Sequence, residues 1–544
     1  MTSTRAGDRR GANTGRDPLG EALELRVAAE ERHARGQYFT PDPLVDMVLS
    51  LVGSPPPAGS VVLDPACGSG RFLLAAKELW AMDAADLRGF ETDPEALRAA
   101  RVQLPGAQLS ELDFLGAPVT RDVAVVVGNP PYIRNRGQKR DIYADFVESS
   151  VAQLQEGGRI ALVLSNAWLD VDYGKELREQ LLDTCALEWL VESSVERWFH
   201  GAKINTMVLV ARRCSDSTRR RNQQVRFAQV RQALPAEPRV LRTLAQGELR
   251  AEPPWGPLLR APDLYFSVLQ GKTPTPLVPL GELAHLQRGF TTNDNRFFYP
   301  PPDAGIEADY LQPLLKSPKR LPGVRGLRRD LPDRVFLCRS SREEMLQKGH
   351  LGALAWVDEH RRGEEQGSWS LPSQRATRLF VVKGTADRFR QPLLDTPVFA
   401  DQQLYSVLPS SPDLDEASLA AVLNSSWCKL CMEMAGRVNF GDGVLWLALR
   451  DVREQVFVPD LRLLSPEKRE KLARSFEALP DGPVPGLVKG SSSHEMGAAW
   501  EAGQQHLDAE VGALLGLGSQ QQKLLREVLR DRCSSRVRMA ASTR

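Results

Sequence analysis

Between about residues 60 and 213, short apolar runs alternate with helix-patterned stretches. "SVVLDP" precedes "RFLLAAKELWA", and "DLRGFE" precedes "DPEALRAAR". "AQLSELDF", "VAVVVGN", "YADFVESSVAQLQ", "RIALVLS" and "YGKELREQLLD" continue the series. Alternation of this kind builds βαβ units, a mostly parallel sheet with helices on both faces. "LEWLVES" and "INTMVLVARR" then follow with no helix between them, which predicts an antiparallel hairpin at the end of a seven-stranded sheet.

The rest of the 544-residue chain has a different texture. Residues 1 to 35 are polar and basic, lack the apolar stretch of a secretory signal, and read as a flexible arm. The α/β domain is expected over 36 to 213. Residues 214 to 280 are rich in Arg, Gln and Pro and read as a weakly structured connector. Residues 281 to 460 mix strand-like runs with loops, as in an α+β domain. A helical segment is expected over 461 to 544, where "SPEKREKLARSFEAL" opens with a Ser N-cap and a Pro at the first helical position. No apolar run reaches the 18 or so residues of a membrane helix, so the expectation is a cytoplasmic chain with no membrane partner.

Net charge is +1, which argues against a globally basic nucleic-acid binder, but the distribution is uneven. From Lys316 to Arg342 there are nine Lys or Arg against two Asp, and from Lys523 to Arg538 six against two acids. Seven cysteines are scattered, and the Cys428/Cys431 pair sits in an apolar stretch without a histidine cluster. We read that pair as buried small side chains and expect no metal site.

"VVLDPACGSGRF" places Gly68-Ser69-Gly70 after a strand and before a helix, where bare backbone can approach a ligand. The third glycine of a dinucleotide fingerprint and the lysine of a P-loop are both missing. Glu91 ends the next strand, where a carboxylate can take ribose hydroxyls, and Asp113-Phe114 ends the third, with an acceptor and a ring for a purine. The pattern suits an adenosine held without a pyrophosphate cradle. Here the sequence resembles the class I S-adenosylmethionine-dependent methyltransferases, with "DPACGSG" similar to their first motif. The resemblance implies a Rossmann-like domain with S-adenosylmethionine as cofactor, contacted by Asp64, Ala66, Gly68, Gly70, Glu91, Asp113 and Phe114.

"VAVVVGNPPY" ends a fourth strand on Asn129, Pro130, Pro131 and Tyr132. This resembles the catalytic motif of amino-group methyltransferases, above all the gamma-class N6-adenine DNA methyltransferases of restriction–modification and related phage-defence systems. An exocyclic amino nitrogen is a poor nucleophile because its lone pair is delocalised into the ring. Acceptors on both N–H groups free that lone pair, and the Asn129 oxygen and Pro130 carbonyl are such a pair. Pro131 stiffens the turn, and Tyr132 offers a face to a base taken out of the duplex. Cytosine C5 chemistry needs a Pro-Cys pair, and the chain has none.

The likeness extends outward. "GQYFTP", residues 36 to 41, is similar to the motif at the methionine end of the cofactor, with Thr40 as the contact. "ERWFHGAKINTMVLV" resembles the segment whose ring stacks on the flipped base, which implies Phe199, with Trp198 as the fallback. Landmarks between 281 and 460 look like a DNA target-recognition domain. They imply DNA contacts from Arg288, Thr291 and Asn293 in a loop with Gly289, and from Lys316, Lys319 and Arg320 in the basic run. Only about 35 residues precede "GQYFTP", too few for a nuclease core. The resemblance therefore implies a modification enzyme acting on double-stranded DNA, with any endonuclease or other defence protein encoded separately. N4-cytosine, RNA or protein-glutamine methylation stay open as alternatives.

Overall fold

A computed structural model of the protein describes residues 15–26, 39–132, 141–171, 174–199, 205–438, 443–488 and 494–541. The chain divides into two compact units, the first built chiefly from residues up to Arg260 and the second chiefly from residues 261 to 537.

The first unit holds strands β1 (Val61–Asp64), β2 (Leu87–Glu91), β3 (Gln108–Glu111), β4 (Val123–Gly128), β5 (Leu154–Ser165), β6 (Cys185–Ser193), β7 (Thr206–Arg213), β8 (Gln224–Val230) and β9 (Arg239–Ala245). Its labelled helices are α1 (Pro18–Arg26), α2 (Asp42–Val52), α3 (Arg71–Trp80), α4 (Pro94–Gln103), α5 (Ile142–Gln153) and α6 (Gly174–Thr184). One nine-stranded sheet runs β3-β2-β1-β4-β5-β7-β6-β8-β9. β1 pairs in parallel with both β2 and β4, so the order reverses there and opens a crevice at the carboxyl ends of those strands.

Period-2 alternation fills a core on each face of the sheet. Val62, Val125, Val127, Ala161 and Val163 pack with α2 and α3 on one side, and Leu63, Val126, Leu162 and Leu164 pack with α5 on the other. Helix α4 starts where the sequence signals a start. Asp93 accepts from the Glu95 and Ala96 amides, a proline opens the first turn, and Ala96, Leu97, Ala99 and Ala100 are buried. The expected hairpin is present, with β7 antiparallel to both β5 and β6.

Two expectations need correction. The sheet has nine strands, not seven, because the connector stretch supplies β8, parallel to β6, and β9, antiparallel to β8. "QVRFAQV" buries Val225, Phe227, Ala228 and Val230, a pattern masked by the Arg and Gln between them. Such polar residues belong on strands near a sheet edge. The N-terminal arm is not wholly flexible either. Residues 15 to 26 include α1, and Asp17 has no exposed surface.

The second unit is α+β, as expected. Its seven-stranded sheet runs Ala284–Arg288, Leu404–Pro409, Thr377–Val382, Leu393–Ala400, Leu311–Leu315 and Arg334–Phe336, with Arg325–Gly326 paired onto Leu393–Ala400. The labelled helices are α7 (Glu416–Leu423), α8 (Ser426–Ala435), α9 (Pro466–Glu477), α10 (His494–Leu515) and α11 (Ser519–Ala541). Every residue of α8 is buried, including Lys429 and Glu433. Cys428 and Cys431 lie on it with no exposure, and burial pushes the Cys428 thiol up to about 12. Trp500, Leu507, Val511 and Leu525 of α10 and α11 share this core, so the terminal helices are part of the unit. Among the described residues no helix is long and apolar enough to cross a membrane.

Candidate active site

The candidate site lies at the carboxyl ends of β1, β2 and β4. β1 ends on Asp64, which is 1 % exposed and accepts the Ala66 amide at 3.0 Å. Burial pushes the Asp64 carboxyl up to about 8; the Ala66 hydrogen bond opposes this and the nearby Glu91 charge adds to it. β2 ends on Glu91, whose carboxylate accepts the amides of Gly68 (2.9 Å), Thr92 (2.8 Å) and Asp93 (2.8 Å). Burial raises Glu91 as well, against the pull of those amides.

The turn between these acids is left-handed at Gly68 (φ +52°) and Gly70 (φ +95°), which explains both glycines. A side chain at Gly68 would meet nothing within 4 Å, whereas one at Gly70 would press on Leu104 at 3.0 Å. The turn is therefore open on one side and packed on the other. β4 comes close to the same place. A Cβ at Gly128 would lie 2.6 Å from Asp64 Oδ1, so a glycine is required where the end of β4 passes that carboxylate, just before Asn129.

Asn129 is half-buried and Pro130 is buried. Asn129 Nδ2 donates to Thr40 Oγ1 at 3.1 Å, joining residues 89 apart in sequence. With the amide nitrogen engaged there, its oxygen faces the other way and accepts from the Tyr132 hydroxyl, which also lies 3.2 Å from the Val163 carbonyl. Tyr132 stands edge-on to Phe199 with ring centroids 6.4 Å apart. Phe199 and Trp198 are each 4 % exposed. In this arrangement the two rings contact each other and leave no parallel slot between them. Gly36 to Tyr38 of the "GQYFTP" motif, and the residues following Phe199 up to 204, lie outside the described residues.

One expected contact is displaced. Phe114, expected against a purine, is 2 % exposed, with its ring between Phe90 (5.4 Å) and Phe146 (5.7 Å). The short turn after β3 drives this ring into the core, and exposed Asp113 caps that turn through the Leu115 amide at 3.0 Å.

The sequence reading missed a group of residues behind the glycine turn. Buried Asp17 accepts from the Ser69 hydroxyl, from Arg71 Nε at 3.2 Å and from Gln103 Nε2 at 2.8 Å. Arg71 Nη1 also donates to the Thr40 carbonyl at 2.7 Å. The available signal was "DPLG", an Asp followed by a Pro at the start of a helix.

In the second unit Arg288, Thr291 and Asn293 are exposed, Asn293 with a left-handed φ of 55°. Arg288 Nη2 donates to Gln402 Oε1 at 3.0 Å. The basic run is less free than its composition suggests. Lys319 is exposed, but Lys316 lies over the Tyr299 ring at 5.4 Å. Arg320 pairs with Asp333 at 2.7 Å and Arg325 with Asp481 at 2.7 Å.

Residues 14–253 match the family model N-6 DNA Methylase. The chain is similar to the type II methyltransferase M.PaeR7I of Pseudomonas aeruginosa, 28 % identical over 255 residues, covering 37 % of this chain and 44 % of that protein. It is also similar to the type II methyltransferase M.XamI of Xanthomonas campestris pv. amaranthicola, 30 % identical over 212 residues, covering 33 % and 37 %. The chain spans under half the length of these curated relatives. In fold it is similar to the type IIL restriction-modification enzyme MmeI, solved in complex with DNA, with a TM-score of 0.62 and 13 % identity over 96 % of this chain and 82 % of that one. Over residues 14–253, then, the chain is similar to the N-6 DNA methylases.

Proposed function

We propose that this chain transfers a methyl group from S-adenosylmethionine to N6 of a flipped-out adenine in double-stranded DNA, as the modification enzyme of a restriction–modification or related defence system. The observation that carries this reading is the Asn129 amide at the end of β4, oriented by Thr40 and following the glycine that packs against Asp64. The family match and the type II relatives support it.

The site's chemistry fits the cofactor. A buried and a half-buried carboxylate, both raised by burial, flank a turn that is open at Gly68, and this suits a cationic ligand bearing hydroxyls. Bound there, the sulfonium would supply an electrophilic methyl group. Asp64 and Glu91 would complement the ligand's positive charge and its ribose, and the glycines would let backbone come close. Because Thr40 holds Asn129 Nδ2, the Asn129 oxygen is the acceptor for one amino proton, and the Pro130 carbonyl is the acceptor for the other. The Tyr132 hydroxyl bonds that same oxygen here, so an incoming amino group would share or compete for that acceptor. To face a base, the Tyr132 ring would have to leave its edge-on contact with Phe199, and its hydroxyl the Val163 carbonyl. In the second unit, exposed Arg288, Thr291 and Asn293 are candidates for reading DNA, with Lys319 a candidate for its phosphates. An endonuclease of the same system is the partner activity this role implies.

Modification-sensitive long-read sequencing of DNA from cells expressing the chain tests the proposal. N6-methyladenine at a defined motif, absent with Asn129→Ala, is the expected result. N4-methylcytosine would change the substrate, and unmodified DNA from the wild-type chain would overturn the reading.

A further inference from the structure

We propose that Asp17 is a positioning residue for the cofactor site, gripping the glycine turn from behind and setting Thr40 through Arg71. The inference rests on the proposed cofactor reading. Its basis is a set of bonds that exceeds what a helix start needs. Opening α1 uses only the Gly20 amide, which donates to Asp17 Oδ1 at 2.8 Å. The carboxylate also takes the Ser69 hydroxyl, Arg71 Nε at 3.2 Å and Gln103 Nε2 at 2.8 Å, donors 52, 54 and 86 residues away. Asp17 itself has no exposed surface.

These donors are spread around the turn. Ser69 lies between the left-handed Gly68 and Gly70, and Gln103 Nε2 also bonds the Ser69 carbonyl at 3.1 Å, so both polar ends of that residue are held. A turn with two glycines has much backbone freedom to lose, and outside contacts that fix it lower the ordering cost of binding a ligand there. α1 lies close against the turn, because a Cβ at Gly20 would collide with the Asp17 carboxylate and the Ser69 hydroxyl. From Arg71 the chain of bonds continues to the Thr40 carbonyl at 2.7 Å, and from the Thr40 hydroxyl to Asn129 at 3.1 Å. One buried carboxylate thus connects an N-terminal helix, the glycine turn and the Asn129 amide.

Isothermal titration of S-adenosylmethionine into the full-length chain tests this, with melting curves run on the same samples. Asp17→Asn keeps the shape but removes the charge. The expected result is cofactor affinity weakened about tenfold or more at a temperature where the variant is folded, the scale of a lost charge-assisted hydrogen bond. KM for the cofactor should rise in step, with kcat changing far less. Arg71→Lys keeps a cation by Asp17 but cannot reach Asp17 and Thr40 together, and a smaller loss is expected. It is the deciding variant if Asp17→Asn does not fold. A lowered melting temperature with unchanged affinity in the folded variants would mark Asp17 as merely structural and overturn the clamp alone. No binding by the wild-type chain would overturn the methyltransferase reading and this inference with it.

Discussion

The strand-end acids of the first unit and the buried helix charges of the second are held in opposite ways. In the first, Asp64 and Glu91 sit against backbone amides, and among the described residues neither meets a cation; burial raises both. In the second, buried charges largely compensate one another. Glu433 pairs with Arg536 at 2.6 Å, and Asp508 takes Arg526 at 3.3 Å together with the Ser426 amide and hydroxyl. Lys429 donates to Gln504 at 2.7 Å, and although burial pushes it down to about 8, the Asp508 charge opposes that shift. Compensated charge fixes how helices pack, whereas uncompensated acids at strand ends are poised for a ligand that supplies the missing positive charge.

This contrast can be broken at several points. Arg536→Met leaves Glu433 buried without its cation and should cost about 3–5 kcal/mol, read as a shift in the denaturation midpoint, with cofactor affinity of the folded protein unchanged. Equal stability would mean that the second unit's pairs are no tighter than surface bridges. Asn129→Ala should lower kcat on the order of 100- to 1,000-fold, the scale seen when a preorganised polar group is removed, while leaving melting behaviour and cofactor affinity close to wild type.

Proton linkage at Asp64 should be smaller. With its free-state carboxyl near pH 8, a cationic ligand binds the ionised form and expels a proton. Cofactor affinity should then fall about tenfold per pH unit as pH drops below about 8 and level off above it. Asp64→Asn should flatten that profile, and titrations across pH check the slope. The smallest effect is expected from Tyr132→Phe, which removes the hydroxyl competing for Asn129 Oδ1. It should lower KM for DNA by a few-fold, the net worth of one neutral hydrogen bond, measured by steady-state kinetics.

Much of this arrangement was legible in the chain. Alternating apolar runs announced the parallel sheet. The Gly-Ser-Gly turn and the Asn-Pro-Pro-Tyr segment announced where backbone had to be bare or rigid, because glycine and proline carry their conformational constraints with them. β8 and β9 were hidden because Arg and Gln interrupt the apolar residues of "QVRFAQV" and Arg those of "RVLRTLA", and composition dominated over alternation. Phe114 was misplaced because a ring after a strand reads the same whether it faces a ligand or the core. Arg320 looked available for phosphate, since its partner Asp333 is identified by folding and not by a charge count.

The sequence by itself therefore determined the residue types at the strand ends and the order in which they arrive. Those follow from local rules of periodicity and backbone freedom. Only the tertiary structure decided that Asp17, Arg71, Thr40 and Asn129 form one line of bonds, and that Tyr132 rests on the acceptor Asn129 would offer a substrate. Long-range hydrogen bonds of this kind depend on where the sheet and helices bring side chains together, which no local pattern encodes.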